Sequence, residues 1–362
     1  MTDAAQHERI ARECRLHART LEMIGAPMYA ALAGRMAEDP PMIALMANTP
    51  HHQLQDIALF TAVNYLLLQG RPSPLADLHP VMTARPADAA ALYPLLREFA
   101  LEHADDIGRL LQTRPVQYTL PGRASFVFPA LYHVAGLAGE PLSIIEIGCS
   151  VGFNLLFDRY HYDYGAAGTA GDPDSPVRLQ SEFRGEPAVV AARMPRRIPA
   201  VARRAGIDIN VIDVGDEDQY RWLLANLWPE QLGRRRNFEA AIGILRRNPL
   251  RVEAGDALEV LPRLIDEFDG PLCVFHSAVL YYWTPAQIAA LDALLADTGR
   301  RRPVHRFGIE QWSMLGTEGR DRSIQDGSVH IWELIHHRYE GGGSVETRLG
   351  RCDGHGGRIR WL

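Results

Sequence analysis

The feature that most constrains the fold is a short apolar run that leads directly into a glycine-containing turn. The run is Leu142–Ile147, and Gly148 and Gly152 flank the turn that follows it. A short run with β-branched residues is typical of a fully buried strand in a parallel sheet. Glycines after such a strand let the chain turn sharply and let its backbone approach a ligand closely. The segment therefore predicts an α/β fold with a ligand-binding turn.

The chain after this turn alternates between strand-like and helix-like segments. The predicted strands span residues 206–214, 250–253, 272–275 and 304–310. The predicted helices span residues 153–160, 219–227, 237–246, 257–268 and 285–297. Alternation of this kind predicts a parallel sheet with right-handed crossover connections.

The end of the chain has a different pattern. Residues 330–339 and 344–350 flank Gly341-Gly-Gly343, which is typical of an antiparallel hairpin, and a further short strand is predicted at 358–361. A mostly parallel sheet that finishes in an antiparallel hairpin is the organisation of class I methyltransferases, whereas NAD-binding Rossmann folds stay parallel to the edge. We therefore expect a Rossmann-like sheet of the class I methyltransferase kind.

Residues 1–125 show no strand-like alternation. Apolar residues have helical spacing at 5–37, with a break near Gly25-Ala-Pro27, and again at 54–69 and 88–113. These segments predict an N-terminal helical accessory domain, followed by an α/β domain at 126–362. A stretch rich in Gly, Pro and Arg around 165–200 is predicted to loop out of the second domain as an insertion.

Composition narrows the class of protein. The chain has 362 residues, of which 47% are hydrophobic and 23% charged, and its net charge of −6 does not favour a nucleic-acid partner. No stretch approaches the roughly 18 apolar residues that span a bilayer, and the N-terminus lacks the apolar core of a signal peptide. The four cysteines have no CxxC spacing, which fits reduced thiols. We expect a cytoplasmic protein with a small-molecule substrate and no membrane association.

The turn Glu146-x-Gly148-x-Ser150-x-Gly152 indicates a nucleoside ligand rather than a phosphate. No Gly-Lys-Ser/Thr follows it, so it is not a P-loop, and the full G-x-G-x-x-G of dinucleotide binders is absent. Glu146 at the strand end would engage the ammonium group of a methionine moiety, and Ser150 stands where the usual pattern has a middle glycine. The alternative is a tight turn that only packs a helix against the strand.

A nucleoside ligand needs a carboxylate for its ribose hydroxyls, usually at the end of the next strand. Asp208 has this position, although 55 residues separate it from Gly152, where about 20 are usual. Glu182 and Asp213 are the rival candidates, and capping of a neighbouring helix is the alternative role for Asp208. Asp256 follows the third strand, where it would face the adenine amino group, act as the N-cap of the next helix, or do both.

The next apolar strand ends in polar residues at the edge where open α/β sheets bind ligands. His276 is the candidate general base, because an imidazole suits proton removal near neutral pH; the alternative is a hydrogen-bonded structural histidine. Ser277, Tyr281 and Tyr282 form the candidate substrate pocket, with a core role as the alternative for the aromatic residues.

No metal site is predicted. His336 and His337 are adjacent in a predicted strand, so their side chains face opposite sides and cannot bind one ion together. His355 lies in a glycine-rich segment without a second ligand close to it in the sequence.

These segments together resemble a bacterial family of unknown function, DUF2332, whose members are predicted to be methyltransferase-like. The resemblance runs from about residue 110 to the C-terminus and is looser over the N-terminal helices. It is carried by Ile145–Leu156 with Asp158, Arg159 and Tyr160, by Gly171–Val177, by Arg204–Asn210 with Asp213, and by Trp228-Pro-Glu230, Gly255–Ala257 and Phe275–Ser277. It implies a methyltransferase-like fold with S-adenosylmethionine as the cofactor.

One segment departs from the family pattern. Family members carry a Gln-Thr-Asn-Glu run ahead of an arginine, whereas this chain has Gln117-Tyr-Thr-Leu-Pro-Gly-Arg123. The arginine is kept, and the resemblance implies that Arg123 pairs with the carboxylate of S-adenosylmethionine through a charge-assisted contact. The missing Asn and Glu alter part of that pocket wall.

The expected function is methyl transfer from S-adenosylmethionine to a small molecule, with the helical domain covering the pocket. Such catalysis consists chiefly of placing the acceptor in line with the methyl group, helped by a base where the acceptor loses a proton. The alternative is a non-catalytic S-adenosylmethionine- or nucleoside-binding protein of the same fold, because Ser150 replaces a glycine and no Asn/Asp-Pro-Pro-aromatic motif is present. A nicotinamide-dependent oxidoreductase fits less well, since the third glycine is missing.

Overall fold

The computed structural model describes residues 3–23, 25–50, 53–83, 88–117, 119–139, 141–228, 232–311 and 332–362. These residues form two compact units. The first contains the described residues up to 117 together with those within 215–235, and the second contains those within 119–214, 236–311 and 332–362. The first boundary between the two units falls near residue 118, whereas the sequence analysis placed it near residue 125.

The first unit is helical. Its helices are α1 (Asp3–Met23), α2 (Pro27–Met36), α3 (Pro40–Met46), α4 (Gln55–Leu68), α5 (Pro74–Leu78), α6 (Ala89–Glu102), α7 (Ala104–Thr113) and α10 (Glu217–Ala225). The break expected near Gly25-Ala-Pro27 separates α1 from α2. The helical region expected at 88–113 consists of two helices, because His103 (φ −105°, ψ 25°) leaves the helical conformation between α6 and α7. None of the helices in the described part of the chain combines the length and hydrophobicity needed to cross a bilayer.

Helix α4 lies at the centre of the first unit and is buried along its length from residue 55 to 67. Two of its polar side chains bond to the segment that contains α10. Asn64 Nδ2 donates to Ala225 O at 2.9 Å, and Thr61 Oγ1 donates to Asn226 Oδ1 at 3.2 Å. Buried donors need partners, so these bonds explain why a segment distant in sequence belongs to the helical unit.

The second unit is built on a nine-stranded sheet. Its strands are β1 (Leu142–Ile147), β5 (Glu182–Arg184), β6 (Val201–Asp208), β7 (Val252–Ala254), β8 (Leu272–Ser277), β9 (Val304–Glu310), β10 (Trp332–Glu340), β11 (Gly343–Cys352) and β12 (Arg358–Trp361), in the spatial order β5-β12-β11-β10-β9-β8-β1-β6-β7. All neighbours from β9 to β7 are parallel, whereas β10, β11 and β12 are each antiparallel to the preceding strand. The protein therefore has a mixed α/β fold with a large, mostly parallel sheet.

The remaining elements surround this sheet or lie beside it. The helices are α8 (Ala124–Ala138), α9 (Pro187–Arg193), α11 (Leu232–Arg247), α12 (Ala257–Glu267) and α13 (Pro285–Thr298). Three short strands, β2 (His161–Asp163), β3 (Thr169–Gly171) and β4 (Arg178–Gln180), form a separate sheet. The stretch at 165–200, expected to loop out, thus contains β3 to β5 and α9, and β5 pairs with β12 in the main sheet.

Two local expectations were wrong. Strand β6 spans Val201–Asp208 rather than 206–214, since its charged first half is stabilised by an ion pair: both terminal nitrogens of Arg204 donate to the carboxylate of Asp158, each at 2.8 Å. The helix expected at 153–160 is a 3-10 helix, Phe153–Arg159, with a kink at Leu156. Helix α8 was not predicted at all.

The terminal hairpin agrees with its prediction. Strands β10 and β11 pair in antiparallel register, and β10 adds to the edge of β9. Residues 330 and 331 of the expected strand lie outside the described residues, as do Trp312 and the Pro-Glu pair at 229–230. Strand β12 has the bounds expected for it, 358–361.

A chain of three histidines lies beneath α8, where this helix packs on the sheet. His305 Nδ1 of β9 is 2.9 Å from His336 Nε2 of β10, and the planes of their rings are 5° from parallel. The ring of His133 from α8 meets that of His336 edge-on at 5.5 Å between centroids. Arg193 of α9 places a guanidinium nitrogen 2.8 Å from His133 Nδ1. The bond between His305 and His336 needs one acceptor nitrogen, so at least one of these two imidazoles is neutral, and the contact with Arg193 requires a neutral His133.

The surroundings of this chain disfavour its protonation. Burial lowers the pKa of His133 and His305 to about 4 and that of His336 to about 3. Positive groups, chiefly Arg193, Arg338 and the histidines themselves, lower these pKa values further, while Glu340 opposes the effect at His305. The folded protein therefore resists taking up protons that an unfolded chain would bind.

We predict that the free energy of unfolding falls as the pH drops from about 6.5 to about 4. In this window the unfolded histidines gain protons while the folded ones stay neutral, and each buried histidine contributes up to about 1.4 kcal/mol per pH unit. Urea unfolding at a series of pH values measures the slope. His336→Gln should reduce it, whereas the control His7→Gln, on α1, should not. Equal slopes for wild type and His336→Gln would contradict the prediction.

Candidate functional site

The turn after β1 is bonded to the end of β6. Gly148 N and Cys149 N both donate to Ile207 O, at 2.8 and 3.2 Å. The backbone is left-handed at Gly148 (φ +68°), Ser150 (φ +50°) and Gly152 (φ +84°). β1 is also the strand from which the sheet extends in opposite directions, through β6 on one side and β8 on the other. Ligands of open α/β sheets bind at such a point, beyond the carboxyl ends of the strands.

Close packing explains the glycine at position 148. A Cβ atom there would lie 2.3 Å from Val279 Cγ2, and the positive φ would strain any other residue. Ser150 has the same strained left-handed backbone, and neighbouring contacts offset the cost. Its N–H donates to Asp208 Oδ2 at 2.7 Å, and its Oγ lies 2.7 Å from Thr119 Oγ1. Non-glycine residues in this conformation are characteristic of functional sites.

Asp208 is the last residue of β6 and lies against this turn. Besides the bond from Ser150, its Oδ1 accepts from Asn210 N at 2.8 Å. Burial raises the pKa of Asp208, and the two backbone amides oppose that rise. The next residue, Ile209, has a side chain that is 84% exposed. The end of β6 thus offers a carboxylate and a bare apolar side chain next to each other.

The rival acids lie elsewhere. Glu182 is on β5, at the opposite edge of the sheet from β6, and is paired with Arg184 at 2.7 Å. Asp213 is exposed in the segment after β6. Asp256 follows β7 and accepts from Leu258 N at 2.8 Å, which makes it the N-cap of α12, and its side chain stays exposed to solvent. Asp208, in contrast to Glu182 on the distant β5, is bonded to the glycine turn.

Glu146 is buried in β1, one residue before the end of the strand. Its Oε1 accepts from Asn154 Nδ2 at 2.7 Å, while Oε2 and Asn154 Oδ1 have no hydrogen-bond partner among the described residues. Burial raises the pKa of Glu146 to about 8. The carboxyl group is therefore largely protonated at neutral pH. Asn154 was missed in the sequence analysis, because the 3-10 helix that brings it back to β1 was not foreseen.

His276 and Ser277 point to opposite faces of the sheet, because side chains alternate along a strand. His276 pairs in register with Ile147, on the face covered by α12 and α13. Ser277 shares its face with Glu146 and Asp208, and its buried Oγ has no partner in the part of the chain that the structure describes. The expectation that both residues serve one site is therefore not supported.

His276 is fully buried and acts with Glu310. Its Nδ1 lies 2.8 Å from Glu310 Oε1, and its ring lies over Gly308, where a Cβ would be 2.2 Å from the ring. Burial lowers the pKa of His276, and Glu310 opposes the effect. His276 is bonded to Glu310 and lies on the face of the sheet opposite Glu146 and Asp208, so the geometry favours the structural role over that of general base.

Glu310, which the sequence analysis did not single out, fixes the turn after β8. Its carboxylate accepts from Val279 N at 2.9 Å and from Leu280 N at 3.3 Å. The residue before them, Ala278, has a left-handed φ of +62°, so the turn is strained and needs this support. The turn carries the next two residues of the predicted substrate pocket to the carboxyl end of the sheet.

These residues are Tyr281 and Tyr282, whose rings lie 4.1 Å apart and whose hydroxyl groups are hydrogen-bonded at 2.8 Å. Tyr282 is 56% exposed, so it is not a core residue. Burial raises the pKa of both Tyr281 and Glu146, and Arg123 lies near enough to oppose that rise. Its Nε donates to Gly354 O at 2.9 Å, and its guanidinium group lies over Trp332. The arginine is thereby fixed near both groups.

Other features lie away from this edge. Surface cavities of about 300 and 370 Å³ are lined by residues of the insertion, such as Gln180 and Met194, and not by the glycine turn. Within the described ranges, no three His, Cys, Asp or Glu side chains are arranged to hold a metal ion. The candidate site is thus an edge of the sheet with one left-handed turn, three polar side chains on one face and an aromatic pair.

The comparison with known families agrees with the sequence resemblance. A family model described as an uncharacterized protein conserved in bacteria, DUF2332, matches residues 11–361. The chain belongs to the DUF2332 family. A search of curated proteins found no match. The match covers both the helical unit and the sheet of this DUF2332 protein, including the N-terminal helices where the resemblance in sequence was looser.

We predict that Gly148→Ala lowers the free energy of unfolding by about 1–3 kcal/mol, because the added methyl group would clash with Val279 and strain the backbone. Val279 cannot move freely, since its amide is bonded to Glu310. The matched control is Gly136→Ala in α8, where the added Cβ meets no atom within 4 Å. It should stabilise the helix by about 0.5–1 kcal/mol. Equal denaturation midpoints for the two variants would refute the clash.

Proposed function

We propose that this protein is an S-adenosylmethionine-dependent methyltransferase that acts on a small molecule. The observation that carries the proposal is the pair formed by the glycine turn and Asp208, held together by the bond from Ser150 N to Asp208 Oδ2. It lies where the parallel sheet reverses its order, the usual position of a nucleotide in open α/β folds.

The groups around the turn match the parts of this ligand. Asp208 would accept from the ribose hydroxyls, and the exposed Ile209 would cover one face of the adenine. Glu146 and Arg123 would hold the ammonium and carboxylate groups of the methionine part. Ser277, Tyr281 and Tyr282 would then line the acceptor side, where catalysis consists chiefly of orientation.

The same geometry argues against a dinucleotide. A pyrophosphate binds at the N-terminus of an α-helix, where free N–H groups and the helix dipole meet it. Here the turn opens into a short, kinked 3-10 helix, Phe153–Arg159. A nucleoside without a phosphate is the better match to this turn.

The second candidate is a protein that binds the same nucleoside without turnover. The position of His276 favours it, because the candidate general base is bonded to Glu310 on the face of the sheet opposite Glu146 and Asp208. Methyl transfer to an acceptor that needs no deprotonation would still be possible by orientation alone. An assay that incubates the protein with S-adenosylmethionine and a bacterial metabolite extract separates the two candidates. Methylated products form only if the protein is an enzyme.

We predict that S-adenosylmethionine and S-adenosylhomocysteine bind and that NAD does not. Isothermal titration of the full chain with the three ligands measures this directly. A ligand present at 100 times its Kd should also stabilise the protein by about 2.7 kcal/mol. Heat release and stabilisation by NAD comparable to those of S-adenosylhomocysteine would overturn the proposed ligand class.

We also predict that Ile209→Ser weakens S-adenosylhomocysteine binding by about tenfold to a hundredfold without loss of stability. The lost apolar contact is worth about 1.5–3 kcal/mol in the complex, whereas the side chain is already exposed in the free protein. Val345→Ser is the matched control, an apolar residue 66% exposed on β11. Unchanged affinity of Ile209→Ser would place the adenine elsewhere.

A further inference from the structure

The carboxyl group of Glu146 is buried with one oxygen bonded and the other without a partner among the described residues. Asn154, which bonds the first oxygen, also keeps its own Oδ1 unpartnered. Buried polar atoms are normally satisfied, so each exception needs an explanation. Once the Glu146 carboxyl group is ionised, both of these oxygens are acceptors that a ligand with several N–H donors would satisfy.

The charged and titratable groups around Glu146 come from each neighbouring element. Asp208 of β6 disfavours the ionised carboxylate, and Arg123, ahead of α8, favours it. Cys149 of the turn and Tyr160 after the 3-10 helix lie close enough to be influenced by Glu146, and burial keeps both neutral. In the described part of the chain no basic side chain forms an ion pair with Glu146, so burial dominates and keeps this carboxyl group protonated.

We propose that the ammonium group of the ligand binds at Glu146 and Asn154, and that each binding event releases the proton of Glu146 to the solvent. The inference rests on the proposed function, because it takes a nucleoside that carries an amino-acid part. In this step the O–H bond of the carboxylic acid breaks, the proton passes to the buffer, and the carboxylate accepts an N–H of the ammonium. Asn154 Oδ1 accepts a second N–H of the ammonium, and no other covalent bond is made or broken.

A definite pH dependence follows from this exchange. Below the pKa of Glu146, each pH unit lowers the fraction of carboxylate tenfold, and the affinity for an ammonium ligand falls with it. The affinity should therefore rise with pH and flatten above about 8. Loss of the ligand's own ammonium proton at high pH would act in the opposite direction, so it cannot produce this rise.

The test is isothermal titration of the full chain with two ligands between pH 6 and 8. S-adenosylhomocysteine carries the ammonium group, and 5′-methylthioadenosine has the same nucleoside without the amino-acid part. Two buffers of different ionisation enthalpy report the number of protons released. We expect close to one proton per S-adenosylhomocysteine at pH 7 and a fall in Kd approaching tenfold from pH 6.5 to 7.5. For 5′-methylthioadenosine we expect no proton release and a constant Kd.

The variant Glu146→Gln provides a second, independent readout. It should abolish the proton release and the pH dependence for S-adenosylhomocysteine while leaving 5′-methylthioadenosine binding unchanged. Glu259→Gln, at an exposed position of α12, is the matched control and should behave like the wild type. Binding of S-adenosylhomocysteine without proton release, or an equal pH dependence for both ligands, would overturn the inference alone. Binding of neither ligand would overturn the proposed function and the inference with it.

Discussion

The bonds between the glycine turn and the end of β6 are the constraint on which the candidate site depends. Ile207 O accepts from two consecutive amides of the turn, and Asp208 accepts from a third, that of Ser150. Ser150 is held in a conformation that few residues other than glycine adopt, and such strain persists only where the surrounding contacts determine it fully. The same bonds fix the direction of the Asp208 carboxylate. The turn and the acid are therefore a single structural unit.

The alternation of side chains along β1 and β8 divides the polar groups of this edge into two sets. Glu146, Asp208 and Ser277 share one face with α8 and the 3-10 helix, whereas His276 and Glu310 lie on the face of α12 and α13. The carboxylate of Glu310 accepts hydrogen bonds from the backbone amides of the strained turn after β8. His276 is in turn hydrogen-bonded to Glu310. One face thus carries the polar groups of the candidate site, and the other maintains the shape of the loop that carries the tyrosines.

Local patterns in the sequence were sufficient for the elements that local interactions determine. The bounds of β9 and β12, the N-cap of α12 at Asp256 and the terminal hairpin follow from apolar runs, capping residues and glycines within a few positions. The start of β6 does not, because Arg204 is stabilised there by Asp158, 46 residues away. The position of α10 in the helical unit likewise depends on buried hydrogen bonds to α4. These bonds join residues that are far apart in the sequence, so no local pattern predicts them.

The residues of the candidate site likewise fall into those that local sequence patterns predict and those that they do not. The turn and the position of Asp208 at the end of a strand were predictable, since both are consequences of a parallel sheet. Asn154 and Glu310 were not, because each acquires its role through a contact across the fold. The sequence left His276 open between a general base and a structural histidine for a related reason: a polar residue at a strand end can face either side of the sheet, and only the register decides which.

Glu146 links the stability of the fold to the proposed binding of a cationic ligand. Ionisation of a buried carboxyl group without a basic partner destabilises the fold, so folding favours the protonated form. The proposed ammonium ligand would reverse that preference, since it would supply the missing partner at the moment of binding. The free protein is thus more stable with Glu146 protonated, whereas the proposed ligand binds the ionised carboxylate. Release of the proton on binding satisfies both requirements. A permanent basic residue beside Glu146 would remove the conflict, but it would also occupy the position that the ligand needs.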